Sequence, residues 1–177
     1  MIMSNENKEN IPEILRINYG FHDNKLTFPG RLELFFNKKF PDINPKTILD
    51  AGCSNGYTTF DLADHYKEAE KIIGVDQYKE RLLKIPDLYK DRVSLFAKDF
   101  FSMKLPDEDI NVSSFDAVFG LNNFYYKITS TFPQILEKRV NQFKKLTNDN
   151  GHLIIGAELG NEFTPNYYVL QKKKQLV

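Results

Sequence analysis

Residues 47–59 have the sequence TILDAGCSNGYTT, in which an apolar run ends in a carboxylate and two glycines enclose small residues. This pattern predicts a buried β-strand, a tight turn and the first turn of a helix. Glycine tolerates positive φ and lets a ligand approach the main chain, so a turn of this kind commonly holds a small molecule. We therefore predict a ligand site at the turn that contains Gly52 and Gly56.

The spacing of the glycines disfavours two phosphate-binding motifs. The dinucleotide fingerprint GxGxxG requires glycine at positions where the chain has Ser54 and Tyr57. The P-loop motif does not occur, because the sequence contains no Gly-Lys-Ser or Gly-Lys-Thr. Dinucleotide and nucleoside triphosphate ligands are therefore not predicted.

The same turn also matches GxSxG, the nucleophile elbow of hydrolases, at Ser54. Such a hydrolase needs several strands before the elbow, whereas the residues before Thr47 have loop and helix patterns. It also needs a histidine at the same sheet edge as the serine, and His152 opens a predicted strand, which places it at the opposite edge. A catalytic role for Ser54 is therefore not predicted.

A second predicted strand, KIIGVD at residues 71–76, also ends in a carboxylate. Asp76 follows Gly56 by 20 residues. An acid at about that distance beyond a glycine turn is placed to accept hydrogen bonds from ribose hydroxyls. Together with Asp50, it favours a ligand that carries positive charge and lacks phosphate.

These residues resemble the class I S-adenosylmethionine-dependent methyltransferases, whose first motif is an apolar strand ending in Asp or Glu and, one residue later, GxGxG. This chain has Asp50 and then Gly52-x-Ser54-x-Gly56, with serine in place of the central glycine. The resemblance covers roughly residues 45–158. Residues 92–100 resemble the third strand and the acidic residue after it, residues 115–123 the fourth strand with its Phe-Asp pair, and residues 148–156 the fifth strand with its turn.

Alternating strand and helix patterns predict an α/β fold with a doubly wound, mostly parallel sheet of about five strands and helices on both faces. The resemblance implies the Rossmann-like methyltransferase version of this fold. We predict an N-terminal helical and aromatic cap segment at residues 1–44 and an S-adenosylmethionine-binding, methyltransferase-like domain at residues 45–177. Helices are predicted over residues 57–68, 78–85, 132–147 and 164–175.

The helix over residues 164–175 is predicted because Thr164-Pro165 supplies an N-cap and a first helical residue. The antiparallel strand pair that usually follows in the family would then be missing. Three explanations stay open: a truncated chain, a partner or self-association that completes the sheet edge, or a small variant with an exposed edge.

The resemblance implies a cofactor site outside the carboxyl ends of the strands. Asp50 would help hold the ammonium of S-adenosyl-L-methionine, directly or through water. Asp76 would hold the ribose hydroxyls and Asp99 the adenine amine, with N–H groups after Gly56 meeting the carboxylate. Each acid taken alone has the alternative role of a helix cap. The predicted cofactor-binding residues are Asp50, Gly52, Cys53, Ser54, Gly56, Asp76, Gln77, Asp99, Phe100 and Asn122.

Catalytic residues are not assigned, because methyl transfer to a basic nucleophile depends mainly on in-line positioning. The candidates are Asn122 and Tyr125 near the end of the fourth strand, and His22 in the N-terminal segment. Core packing is the alternative for Tyr125, and an exposed side chain without a catalytic role is the alternative for His22. The fourth strand lacks the two prolines common in methyltransferases of adenine, glutamine or cytosine amino groups, which disfavours a nucleobase or amide acceptor.

The amino-acid composition limits the classes of binding partner that the sequence predicts. Lys plus Arg and Asp plus Glu each number 24, so the formal net charge is zero and the sequence predicts neither a clear nucleic-acid partner nor a membrane partner. The single cysteine, Cys53, cannot form an intramolecular disulfide, and we expect a cytoplasmic protein. Cys53 is either a reactive thiol at a helix N-terminus or a small residue beneath the cofactor. No metal site is predicted.

The sequence thus predicts an S-adenosylmethionine-dependent methyltransferase that acts on a small molecule or a protein. The alternative is a non-catalytic methyltransferase-like binding or partner module, which a missing strand pair would allow. An RNA methyltransferase is disfavoured by the zero net charge.

Overall fold

The structure, a computed structural model, describes residues 43–124, 132–157 and 166–172, with side chains described for residues 43–120, 137–155 and 171–172. Residues 1–42 of the predicted N-terminal segment, including His22, lie outside this part of the chain, as does Tyr125. The predictions made for them stay predictions.

Six strands form a single sheet in the described part of the chain, in the order β3-β2-β1-β4-β5-β6. Strands β1 to β5 run parallel, and β6 pairs antiparallel with β5. The predicted doubly wound, mostly parallel sheet is therefore confirmed. The strands are β1 Thr47–Ala51, β2 Lys71–Asp76, β3 Val93–Ala97, β4 Phe115–Phe124, β5 Thr147–Ala157 and β6 Asn166–Gln171.

The central strand β1 lies between β2 and β4, so the chain leaves it in opposite directions across the sheet. Such a reversal opens a crevice at the carboxyl ends of the strands, where ligands of open α/β sheets bind. The apolar residues of β1 and β2 are buried on both faces, as in other parallel sheets covered by helices.

Two α-helices are described, α1 over Tyr57–His65 and α2 over Phe132–Leu146. Alternate residues of β1 contact them from opposite faces of the sheet: Leu49 belongs to the core cluster that contains Phe143 of α2, and Asp50 contacts Thr59 of α1. The Arg92 guanidinium donates to main-chain carbonyls at the end of α1, which satisfies groups that the helix leaves free. The helices thus cover both faces, as predicted.

The helix predicted over residues 78–85 is wrong, because the structure has a 3-10 turn at Lys79–Arg81 and another at Asp87–Tyr89 instead. Leu82 is already extended, and the Leu83 N–H donates to the Asn55 carbonyl in the glycine turn at 3.1 Å. Pro86 further disfavours helical geometry in the residue before it. The hydrogen bond between this segment and the glycine turn therefore outweighs the local preference for a helix.

The helix predicted over residues 164–175 is also wrong, because Asn166–Gln171 form strand β6. Its sequence, NYYVLQ, is rich in aromatic and branched residues that favour strands, and β5 offers an antiparallel partner with Leu153 opposite Leu170. One antiparallel strand is therefore present at an edge where the sequence predicted none. None of the helices in the described ranges combines the length and apolar character needed to cross a bilayer.

Candidate functional site

The turn between β1 and α1 has left-handed main-chain conformations at three positions: Gly52 has φ of 75°, Ser54 of 55° and Gly56 of 100°. The N–H groups of Gly52 and Cys53 both donate to the Val75 carbonyl, at 2.8 and 3.0 Å. Glycine adopts positive φ at little cost, whereas serine does so with strain. The turn is therefore held against the end of β2 by its own main chain.

Asp76, at the end of β2, ties this turn to the loop that follows β2. Its Oδ2 accepts the Ser54 N–H at 2.9 Å, and its Oδ1 accepts the Tyr78 N–H at 3.0 Å. The side chain is 8% exposed, and each carboxylate oxygen has a second lone pair. The carboxylate therefore lies at the glycine turn, fixed in orientation, with capacity for further hydrogen bonds.

Asp50 at the end of β1 is buried, with 2% exposure. Its Oδ2 accepts a hydrogen bond of 2.8 Å from the Thr59 hydroxyl, and the described residues offer no hydrogen bond to its Oδ1. Burial raises the pKa of Asp50 to about 7, and the nearby Asp61 and Asp76 add to the rise while the Thr59 hydroxyl opposes it. A buried carboxylate oxygen without a partner indicates a site for a donor that is not part of the described chain.

Gly74, in the middle of β2, leaves space for the hydrogen bond between Thr59 and Asp50. A Cβ at this position would lie 2.5 Å from Thr59 Oγ1 and 2.6 Å from Leu95 Cδ2. Because Gly74 has no side chain, α1 lies close enough to the sheet for the Thr59 hydroxyl to reach Asp50 on the neighbouring strand. The sequence motifs did not predict a role for Thr59 or Gly74, although a glycine inside a strand of branched residues indicates a close approach by another group.

Cys53 is buried beneath the turn, with 1% exposure. Burial raises the pKa of its thiol, and the adjacent carboxylates of Asp50 and Asp76 raise it further. A reactive thiol needs access and a lowered pKa. These features favour a small packing residue over a reactive thiol.

The remaining predicted cofactor-binding residues differ in how exposed they are and in where they lie on the sheet. Asp99 is exposed two residues beyond β3, at the edge that carries Asp76, and its Oδ1 accepts the Phe101 N–H at 3.0 Å. Phe100 is 7% exposed and its ring centroid lies 5.5 Å from that of Phe143, so it packs in the core rather than forming a wall of the crevice. Gln77 is exposed beside Asp76, and Asn122 lies in β4 with its side chain outside the described part.

The structure also bears on the hydrolase alternative. His152 is in register with Ala117 of β4, which in turn is in register with Ile48 of β1. Ser54 follows the opposite end of β1. The two side chains therefore belong to opposite ends of the sheet, and no Ser-His pair forms between them.

The sequence matches the model of a protein family described as "Methyltransferase domain" over residues 44–164. This match includes β1 to β5 and the glycine turn. Among curated proteins, none is significantly similar to the chain in sequence.

The fold is similar to those of several solved structures, at low sequence identity. A putative methylase from Haemophilus influenzae matches with a TM-score of 0.53 and 16% identity, over 80% of this chain and 88% of that one. A putative methyltransferase in complex with the Trm112 methyltransferase activator of Haloferax volcanii matches with a TM-score of 0.53 and 17% identity, over 82% and 59%. Coclaurine N-methyltransferase bound to N-methylheliamine and SAH matches with a TM-score of 0.52 and 15% identity, over 82% and 44%.

Several similar structures belong to longer chains. This chain covers 66% of one N-methyltransferase and 53% of a putative methyltransferase from Listeria monocytogenes.

Proposed function

The chain belongs to the protein family described as "Methyltransferase domain", and on that premise we propose that it is a class I S-adenosylmethionine-dependent methyltransferase that transfers the methyl group of S-adenosylmethionine to a small molecule or a protein. The observation that carries the proposal is the pair of buried carboxylates, Asp50 and Asp76, at the ends of adjacent strands beside one glycine turn.

The residues of this turn fit the chemistry of that cofactor. S-adenosylmethionine has an ammonium, a carboxylate, ribose hydroxyls and a sulfonium, and it carries no phosphate. Asp50 Oδ1 is a buried acceptor that the described residues leave without a donor, so an ammonium would satisfy it. Gly56, in the left-handed conformation, is the N-cap of α1, and the main-chain N–H groups at this helix end suit an anion such as the ligand carboxylate.

In this proposal each carboxylate has a separate binding role. Asp50 accepts from the ammonium, and Asp76, already oriented by the N–H groups of Ser54 and Tyr78, accepts from the ribose hydroxyls. Asp99 is assigned to the adenine amine, at the same edge of the sheet. Gly52 and Gly56 leave the main chain accessible to the ligand.

The bound cofactor supplies an electrophilic methyl group, and the protein supplies position. Holding donor and acceptor in line removes most of the entropic barrier of a bimolecular reaction. The acceptor is expected beyond the end of β4, the strand next to β1 on the side away from Asp76. Asn122, Tyr125 and His22 stay the candidate residues for that side.

Isothermal titration calorimetry with S-adenosylmethionine and S-adenosylhomocysteine tests the binding step. We expect wild type to bind both and Asp76→Ala to bind at least about tenfold more weakly, because hydrogen bonds to a charged carboxylate are lost. Asp76→Asn should have an intermediate affinity, since it retains one acceptor oxygen. Asp87→Ala, which removes an exposed carboxylate of the second 3-10 turn, is the control and should bind like wild type.

Transfer of a radiolabelled methyl group to fractions of a cell extract tests the chemical step. Label in a small-molecule or protein fraction that requires Asp76 supports the proposed activity. Binding without transfer to any fraction would favour the non-catalytic module instead. A wild-type protein that binds neither ligand would contradict the proposed activity and would leave only a partner module that does not use the cofactor.

A further inference from the structure

Thr59 is a buried residue of α1, with 0% exposure, whose hydroxyl donates to Asp50 Oδ2 at 2.8 Å. The contact crosses from the helix to the sheet, and the absence of a side chain at Gly74 leaves room for it. Thr59 lies three residues beyond Gly56 and therefore outside the glycine motif. A hydroxyl fixed in this position leaves Oδ1 as the carboxylate oxygen available to a ligand.

We propose that Thr59 is a positioning residue that holds the Asp50 carboxylate, in its ionised form, for the ammonium of the bound sulfonium nucleoside. This inference rests on the proposed function, because the ammonium belongs to that ligand. Thr59 acts through Asp50 and is not itself assigned a ligand contact.

The surroundings of Asp50 give Thr59 this importance. Asp61 on α1 and Asp76 on β2 are acidic and raise the pKa of Asp50, in addition to the larger effect of burial. Cys53, in the turn, has a thiol that stays protonated because burial raises its pKa. Among the described groups that act on Asp50, the Thr59 hydroxyl is the one that favours the ionised carboxylate.

Removal of this hydroxyl therefore has a pH-dependent consequence. With the pKa of Asp50 at about 7, about half of the wild-type molecules have an ionised Asp50 at pH 7. If loss of the hydroxyl raised this pKa by about one, about a tenth of the variant molecules would have an ionised Asp50 at the same pH. The apparent affinity scales with the competent fraction, so Thr59→Val should bind about fivefold more weakly at pH 7. The difference should nearly disappear by about pH 9, where both proteins are ionised at Asp50.

Calorimetric titration with S-adenosylhomocysteine from pH 6 to pH 9 measures this difference. The ratio of wild-type to variant affinity is the quantity compared, because the ammonium of the ligand titrates equally in both experiments. Thr59→Ser should behave like wild type, since it keeps the hydroxyl. Thr147→Val is the matched control: Thr147 is also buried, its hydroxyl donates to the Phe143 carbonyl at 2.7 Å, and it lies far along the chain from the turn.

A titration of the ligand-free protein provides a second readout. Carboxyl carbon NMR, with the Asp50 signal assigned by its loss in Asp50→Asn, should give a midpoint at least about one pH unit higher in Thr59→Val than in wild type. If Thr59→Val does not fold, Thr59→Ala is measured in the same way.

The outcomes separate this inference from the proposed function. An affinity ratio that falls towards one as the pH rises, together with a raised Asp50 midpoint, supports the role of Thr59. A ratio that is the same at every pH, an unshifted midpoint, or a Thr59→Ser variant as weak as Thr59→Val overturns it while the proposed function stands. If wild type binds no S-adenosylhomocysteine, the proposed function fails, and the role towards the ammonium fails with it.

Discussion

Thr47 and Asp116 exchange hydrogen bonds where β1 and β4 begin. The Thr47 N–H and hydroxyl donate to Asp116 Oδ2 at 2.9 and 3.1 Å, and the Asp116 N–H donates to Thr47 Oγ1 at 3.0 Å. The Lys46 N–H and the Asn148 amide add donors at 2.9 and 2.7 Å. Burial alone would raise the pKa of Asp116, but these donors together hold it below its usual value. Asp116 thus joins three strands at the edge opposite the glycine turn.

We expect Asp116→Ala to lower the free energy of unfolding by about 2–3 kcal/mol at pH 7, because several donors lose a charged acceptor. The lowered pKa means that this contribution is present above the unfolded-state pKa and is lost as the pH falls through the folded-state pKa. Urea denaturation of wild type and variant at pH 7 and pH 3 measures both effects. S-adenosylhomocysteine affinity should be unchanged, so weakened binding with unchanged stability would contradict the structural role.

The buried Asp50 predicts the opposite pH dependence. Its folded-state pKa of about 7 lies above the ordinary aspartate value of 3.8, so the folded protein retains a proton there that the unfolded chain releases. Wild-type stability should therefore fall as the pH rises from about 4 to 7, by an amount on the order of 4 kcal/mol when complete.

Asp50→Asn should remove this fall, since the amide does not titrate. Urea denaturation of both proteins at several values between pH 4.5 and pH 8 gives the difference between the two profiles. Asp61, whose pKa burial raises to about 6, is present in both and cancels. Parallel profiles would show that Asp50 is not the titrating group.

Gly74→Ala should destabilise the protein by about 1–3 kcal/mol, the usual cost of overpacking, because its Cβ would meet Thr59 Oγ1 and Leu95 Cδ2. It should also weaken S-adenosylhomocysteine binding by moving the Thr59 hydroxyl away from Asp50. The double variant Gly74→Ala/Thr59→Ala tests the contact, since the effects of touching residues are not additive. Fully additive losses of stability would mean that the alanine is accommodated without displacing Thr59.

Cys53 should be protected from thiol reagents in the native protein, because it is 1% exposed and burial raises its pKa. As the single cysteine of the chain, it gives an unambiguous rate. Reaction with Ellman's reagent at pH 8 should be at least about a hundredfold slower in the folded protein than in urea, with the slow rate following local opening. Equal rates in the two states would reverse the assignment of Cys53 as a packing residue.

The sequence by itself predicted the parallel strands, because their apolar runs end in turn residues and alternate with helix patterns. It also predicted the carboxylates of Asp50 and Asp76 at the same sheet edge, since the carboxyl ends of adjacent parallel strands lie together. The periodicity of α2 was sufficient for its bounds to be predicted within one residue, 132–147 against Phe132–Leu146.

The tertiary structure decided the features that depend on contacts between distant segments. Strand β6 forms where the sequence predicted a helix, because β5 offers it a hydrogen-bonding partner. Part of the segment at residues 78–85 is extended and not helical, because Leu83 pairs with Asn55. Local propensities are small and are overridden by such pairing. The contact of Thr59 with Asp50 could likewise not be predicted, because it requires the distance between helix and sheet that Gly74 permits. The sequence therefore determined which groups reach the site, and packing between the layers determined how they are held there.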